Sequence, residues 1–444
     1  MLLRKLSVRF NAFLAWRSAH VTDQTFVFIL AVLTGLLAGA GASLLKWMIK
    51  WVSTGFTEHF HRFGPNWVLL VIPVAGIMLA GLFQRRILRR NLTHGVRQLG
   101  ADLKAGRYAL PGYICYGPML ASTLTLGFGG SAGSEGPIAY TGAALGSNVA
   151  RTFRLDPHLM MIMLGCGAGA GIAGIFKAPV GGFLFTLEVL KLELSTMSVM
   201  ACLLACITAG MTAYVLSGVQ VDLSYLQPEQ FDVHAAPWLL VLGVLCGFYS
   251  LYYSHMMTAM ENFYTRIRRP WLRNLVSGAV LAALVFLFPA LYGEGYSVMD
   301  HLLNGDLTPL RADGIFAATA GTGWPLVILA GAIMLVKTFA HSATNSGGGV
   351  AGDFAPTLFA GCIAGFFMAS LLNTAFGLGL PVSGFAFCGM AGVMAGVIRA
   401  PLMALFLTAE MTDGFVLFLP LLAVSSISYG IVRIFKPAVY YRTI

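Results

Sequence analysis

Two short segments place a carboxylate beside glycines and a proline inside otherwise apolar sequence: Gly133-Ser134-Glu135-Gly136-Pro137 and Gly352-Asp353-Phe354-Ala355-Pro356. Proline tolerates the first helical turn and glycine the turn that leads into it. Each segment therefore predicts a helix N-terminus that begins within the apolar region. Such an N-terminus presents free N–H groups and the positive end of the helix dipole, so the chemistry it supports is the holding of an anion. Glu135 is the sharper residue. A carboxylate held there resembles a bound anion, able to occupy an anion site and to leave when protonated or displaced. The alternative for Glu135 is a structural N-cap or a buried carboxylate. Asp353 stands one residue before Phe354, where a plain N-cap is the natural role.

The elements that position these groups are membrane helices. Of 444 residues, 57% are hydrophobic and 10% charged, whereas soluble domains carry about 25% charged residues. Apolar runs cover Phe26–Lys46, Trp67–Phe83, Ala201–Val219, Trp238–Tyr253, Leu275–Leu291, Trp324–Val336, Ala360–Leu372 and Phe415–Ile434. About 20 apolar residues span a bilayer, and several runs are shorter, which predicts tilted, re-entrant and half-spanning helices. Ionisable groups and broken helices are tolerated at that depth only where protein or a water-filled path receives them.

The net charge of +10 does not mark a nucleic-acid-binding face. The basic residues sit in short loops beside apolar runs: Arg4, Lys5, Arg9 and Arg17, then Arg85, Arg86, Arg89 and Arg90. The positive-inside rule makes their shared side cytoplasmic. Residues 1–20 are basic and amphipathic with no continuous apolar stretch, and predict an interfacial helix rather than a cleaved signal. Seven cysteines contain no C-x-x-C pair, so they indicate neither a metal site nor a disulfide framework.

The chain also repeats itself. Lys177-Ala178-Pro179-Val180-Gly181-Gly182-Phe183-Leu184-Phe185-Thr186-Leu187-Glu188 reads like Arg399-Ala400-Pro401-Leu402-Met403-Ala404-Leu405-Phe406-Leu407-Thr408-Ala409-Glu410. Each copy follows a run of small residues, Gly165–Gly174 and Gly389–Gly396, that lets helix backbones approach closely. Each is preceded by one of the two broken segments. Internal repeats in a membrane protein meet around a midplane site built from broken helices. The expected organisation is an interfacial helix over 1–22, a first half over 23–233 and a second over 234–444. Glu188 and Glu410, in matching places, are expected to close salt bridges or caps. The polar stretch from His341 to Gly349 is expected either to line a vestibule or to form a solvated loop.

Together these residues resemble the CLC family of chloride channels and chloride/proton exchangers. Gly133–Pro137 is similar to the family's G-[KR]-E-G-P element, whose glutamate gates the anion path. Gly352–Pro356 is similar to its G-x-F-x-P element, whose backbone N–H groups bind the anion. Thr93-His94-Gly95-Val96-Arg97 resembles a drifted G-[SH]-G-[IV]-P element from a third helix start. Gly389-Met390-Ala391, Ile398–Pro401 and Glu410-Met411-Thr412 resemble late elements, and Tyr440 falls where the family has an anion-coordinating tyrosine. The resemblance implies an all-α membrane protein with a CLC-type fold of two inverted-repeat halves, containing tilted and re-entrant broken helices. It further implies a homodimer with one pathway per subunit, chloride and protons as the transported ions, and no cofactor, metal or catalysis. Glu135 is the implied gate and proton carrier. The implied anion-binding set is His94, Gly95, Ser134, Glu135, Gly136, Asp353, Phe354, Ala355 and Tyr440. A bacterial inner membrane is the expected location, with the N-terminus cytoplasmic and no cytoplasmic regulatory domain after Pro437.

Three departures bear on mechanism. His94 replaces a serine whose hydroxyl contacts the anion; imidazole either donates to the anion or turns aside. Arg97 replaces a proline and either alters that helix start or adds positive potential near the inner mouth. The inward-facing glutamate of proton-coupled members is expected in the stretch Ser217–Val221, which holds no acid; Asp222 or water substitutes, or coupling is lost. Chloride/proton antiport is the favoured reading and passive chloride conduction the alternative, with fluoride handling a lesser one. An intramembrane aspartyl protease is disfavoured, because Val350 replaces the first glycine of a G-x-G-D element and the chain has no Tyr-Asp dipeptide. A cation or amino-acid transporter would need more buried acids or unwound carbonyls for sodium.

Overall fold

The computed structural model describes residues 2–57, 67–90, 92, 95–193, 195–218, 223, 233–311 and 323–436. The first half of the chain forms α1 (Leu2–His20), α2 (Asp23–Thr57), α3 (Ile72–Leu82), α4 (Gly95–Lys104), α5 (Gly117–Gly127), α6 (Glu135–Thr152), α7 (Pro157–Phe176), α8 (Pro179–Glu188) and α9 (Thr196–Ser217). The second forms α10 (Ala236–Thr265), α11 (Pro270–Leu287), α12 (Tyr296–Leu303), α13 (Thr308–Arg311), α14 (Trp324–Ser346), α15 (Phe354–Phe376), α16 (Val382–Ile398), α17 (Pro401–Thr412) and α18 (Phe418–Phe435). Among the described residues nine helices are long and apolar enough to cross a membrane. One of them, Pro157–Phe176, is not among the apolar runs read from the sequence, although its mean hydropathy of 2.0 is as high as theirs.

The inner helices are those richest in small residues. The apolar stretches of α7 and α15 are 89% buried, against 33% for α11, whose outer face is left for lipid. Glycine sets the spacing between α6 and α7: a Cβ on Gly142 would collide with the Gly167 carbonyl. The second half repeats the device, since a Cβ on Gly361 of α15 would collide with the Gly389 carbonyl of α16. Backbones this close gain dispersion and weak polar contacts that hold helices together in lipid.

The repeat is visible down to single dihedrals. Lys177 (φ 56°) ends α7 and Arg399 (φ 63°) ends α16, both left-handed. Ala178 and Ala400 then turn the chain into α8 and α17 with near-identical geometry, φ/ψ −124°/83° and −129°/79°. Glu188 and Glu410 close reciprocal caps across the two halves. Glu410 accepts from the Val180 and Gly181 N–H groups at 3.0 and 2.7 Å, and Glu188 from those of Leu402 and Met403 at 3.3 and 2.8 Å. Each half thus supplies the carboxylate that satisfies the other's helix start.

Candidate functional site

The two broken segments meet. Gly133 N–H donates to the Gly352 carbonyl at 3.1 Å, and Gly352 N–H to the Gly133 carbonyl at 2.5 Å. This isolated antiparallel bridge ties the start of α6 to the start of α15. The approach requires glycine, because a Cβ on Gly352 would lie 2.5 Å from the Gly136 nitrogen. The bridge brings the starts of the two helices into contact.

Glu135, the first residue of α6, is fully buried. Its Oε1 accepts from the Ala355 N–H of α15 at 2.5 Å, while Oε2 has no hydrogen-bond partner. A buried carboxylate oxygen without a partner is costly. The carboxylate therefore sits at the α15 N-terminus, held there through one oxygen. The start of α6 is served in the same way: Ser134 N–H donates to Glu294 Oε1 at 2.8 Å. Glu294 lies between α11 and α12 and was not singled out in the sequence. Its signal there is an acid between two glycines, Gly293 and Gly295, beyond an apolar run.

A second residue missed in the sequence is Lys337. It is fully buried in the middle of α14, and its Nζ donates to Ser131 Oγ at 2.9 Å. The ammonium also lies 4.6 Å from the centroid of Phe359, over its ring, and within electrostatic reach of Glu135. The available signal was a lone lysine inside a spanning segment, which by default marks function.

Two helix starts brought together, the Glu135 carboxylate on one of them and the buried Lys337 within its electrostatic reach form one buried cluster. The sequence profile of the family described as voltage gated chloride channel matches residues 76–433. The chain belongs to that family. The voltage-gated ClC-type chloride channel ClcB of Salmonella typhimurium is 27% identical, covering 93% of this chain and 97% of its own length. The H(+)/Cl(-) exchange transporter ClcA of Vibrio cholerae is 24% identical, covering 90% of this chain and 84% of its own. A slow cyanobacterial Cl-/H+ antiporter of known structure superposes with a TM-score of 0.76 at 21% identity, over 95% of this chain and 97% of that one. The last likeness establishes the CLC fold, with its inverted halves.

The remaining residues of the CLC elements fall as follows. Phe354 is buried and packs edge-on against Phe185 of α8, with ring centroids 5.7 Å apart. Gly95 starts α4 against α6, where a Cβ would lie 3.1 Å from the Gly136 carbonyl. A third helix start therefore joins the first two. Arg97 does not leave an uncompensated charge there, since its guanidinium donates to both carboxylate oxygens of Glu261 of α10 at 3.2 Å. His94, Asp222 and Tyr440 lie outside the described residues.

Asp353 corrects an expectation. It holds the N-cap position of α15, but its side chain makes no capping bond. Its Oδ1 instead lies 3.0 Å from His341 Nε2 and accepts from Asn345 Nδ2 at 3.0 Å. The other imidazole nitrogen of His341 lies 2.7 Å from the Tyr253 hydroxyl of α10. Asn345 Nδ2 also lies 3.0 Å from His341 Nε2, so both imidazole nitrogens are held by polar partners. The stretch from His341 is accordingly no solvated loop. His341, Ser342 and Thr344 are fully buried in the last turns of α14. Among the described residues no group of three or more His, Cys, Asp or Glu side chains is arranged to hold a metal ion.

Proposed function

We propose that the chain moves chloride across the membrane in exchange for protons, with Glu135 as both gate and proton carrier. The observation that carries this reading is the Glu135 carboxylate on the Ala355 N–H. When the carboxylate is charged, it holds the place of the anion; when it is protonated, its hold on the N–H weakens and chloride takes the α15 N-terminus. Ser134, Gly136, Phe354 and Ala355 then line the anion's path, with Lys337 beside it. Gly95, His94 and Tyr440 bound the inner side, as the family resemblance implies. Asp353 acts on the anion only through the helix start it braces. The exchange activity named for the Vibrio cholerae relative supports coupling to protons. The family resemblance also supports a homodimer with one pathway per chain. The bacterial relatives support a bacterial inner membrane, and the arginine-rich loops a cytoplasmic N-terminus.

Passive chloride conduction is the second reading, favoured by the channel name of the Salmonella typhimurium relative. In liposomes with potassium and valinomycin present to carry the compensating charge, an outward chloride gradient should drive proton uptake. Chloride efflux without proton uptake would select the passive reading.

A further inference from the structure

Beyond the anion path, one cavity has a composition that transport does not use. It measures about 390 Å³ and opens where the end of α3 meets the start of α11. Gly81 lies against Asn274 and Val74 against Gly278, so the two helices run antiparallel there in close contact. Arg85, Arg89, Arg90 and Arg273 line the cavity, and no acid does. None of the four forms an ion pair among the described residues, and the Nε of Arg273 is buried without a hydrogen-bond partner. Four guanidinium groups around one small cavity repel each other unless an anion shares it. Their planar forks match the paired oxygens of a phosphate.

The backbone is shaped to hold them there. Phe83–Leu88 is a π-helical turn, a form that recurs at functional sites. It ends on Arg89 at φ 52°, a left-handed conformation that a non-glycine residue rarely adopts. Gln84 fixes the floor: its Nε2 donates to the Gly348 carbonyl at 2.8 Å, and its Oε1 accepts from Leu92 N–H at 3.0 Å. The same two helices expose apolar side chains, with Ile87 70%, Trp271 51% and Leu82 47% accessible. Tryptophan and arginine at helix ends mark the level of lipid headgroups, and basic pockets between spanning helices bind acidic ones.

We propose that this cavity binds the phosphate of an anionic phospholipid headgroup, with the acyl chains lying against Leu82, Ile87 and Trp271. The phosphate is shared by two arginine-bearing helix ends and clamps α3 to α11.

The test uses the full chain purified in a neutral detergent. Its thermal unfolding is followed at constant chloride during titration with a short-chain phosphatidylglycerol, the matched phosphatidylcholine, inorganic phosphate, and sodium gluconate at equal ionic strength. Phosphatidylglycerol should raise the midpoint, and Arg89→Gln/Arg273→Gln should weaken its apparent affinity at least tenfold. Arg151→Gln, at a different helix end, should not. Should the double glutamine variant fold poorly, Arg89→Lys/Arg273→Lys keeps the charge, loses the forks and should still bind more weakly. An equal response to phosphatidylcholine or to sodium gluconate, or equal affinity in the arginine variants, overturns the site. A full response to inorganic phosphate alone overturns the lipid assignment. Because the readout is binding, failure here leaves the exchange reading to its own flux assay.

Discussion

Glu135 and Ala355 stand 220 positions apart, yet the carboxylate of one accepts the backbone N–H of the other at 2.5 Å. A side chain from the first half of the chain thereby closes the helix start contributed by the second. The same trade occurs at Glu188 and Glu410, where it is structural. The two cases differ in surroundings. The capping glutamates use both carboxylate oxygens on backbone N–H groups, whereas Glu135 leaves Oε2 without a hydrogen-bond partner among the described residues. A carboxylate held by one oxygen is the easier one to release.

Gly352 should tolerate no side chain. A Cβ there lies 2.5 Å from the Gly136 nitrogen and 3.0 Å from the Glu135 carboxyl carbon. Gly352→Ala should part the two helix starts and cut chloride efflux from liposomes by more than about tenfold, the equivalent of ~1.4 kcal/mol on the barrier.

Lys337 should favour anion occupancy because its ammonium is buried near Glu135, held by the Ser131 hydroxyl and the Phe359 ring. Lys337→Met should lower chloride flux about tenfold at low chloride, a loss of ~1.4 kcal/mol that one buried charge can readily supply. Lys337→Arg should retain most of the flux. Chloride efflux measured against chloride concentration distinguishes the two variants.

His341 joins α10, α14 and the start of α15 through Tyr253 and Asp353. His341→Phe fills much of the space but removes one polar partner each from the Tyr253 hydroxyl and the Asp353 carboxylate. It should cost ~1–3 kcal/mol, read as a lower thermal unfolding midpoint of the detergent-purified protein. Tyr253→Phe, which removes only the hydroxyl, should cost less.

Glu188→Gln and Glu410→Gln each weaken one cap across the two halves. Each should cost ~1 kcal/mol, again measured as thermal unfolding. The double variant should lose close to the sum, since the two carboxylates serve different helix starts.

The parts legible in the sequence were those written locally. Glycine, an acid and a proline announced each broken helix, and both begin where expected, at Glu135 and Phe354. The repeat was legible because Lys177 and Arg399 open matching strings, and both prove to be left-handed helix ends. What the sequence hid depends on partners far along the chain. Glu294 reaches Ser134 across 160 positions, and Lys337 reaches Ser131 across 206. Asp353 was read as a cap from its position, but the deciding fact was His341 waiting one helix back, at 3.0 Å. Pro157–Phe176 was legible by its mean hydropathy of 2.0 and was passed over because its glycines were read only as a packing run.

The central claim is that the Glu135 carboxylate competes with chloride for one site and carries the proton. The most direct measurement records chloride and proton movement together in one liposome preparation, for the native chain and for Glu135→Gln. The native chain should take up protons as chloride leaves. The variant, neutral at every pH, should pass chloride with no proton movement. Chloride flux with unchanged rate and unchanged proton coupling in Glu135→Gln would contradict the account.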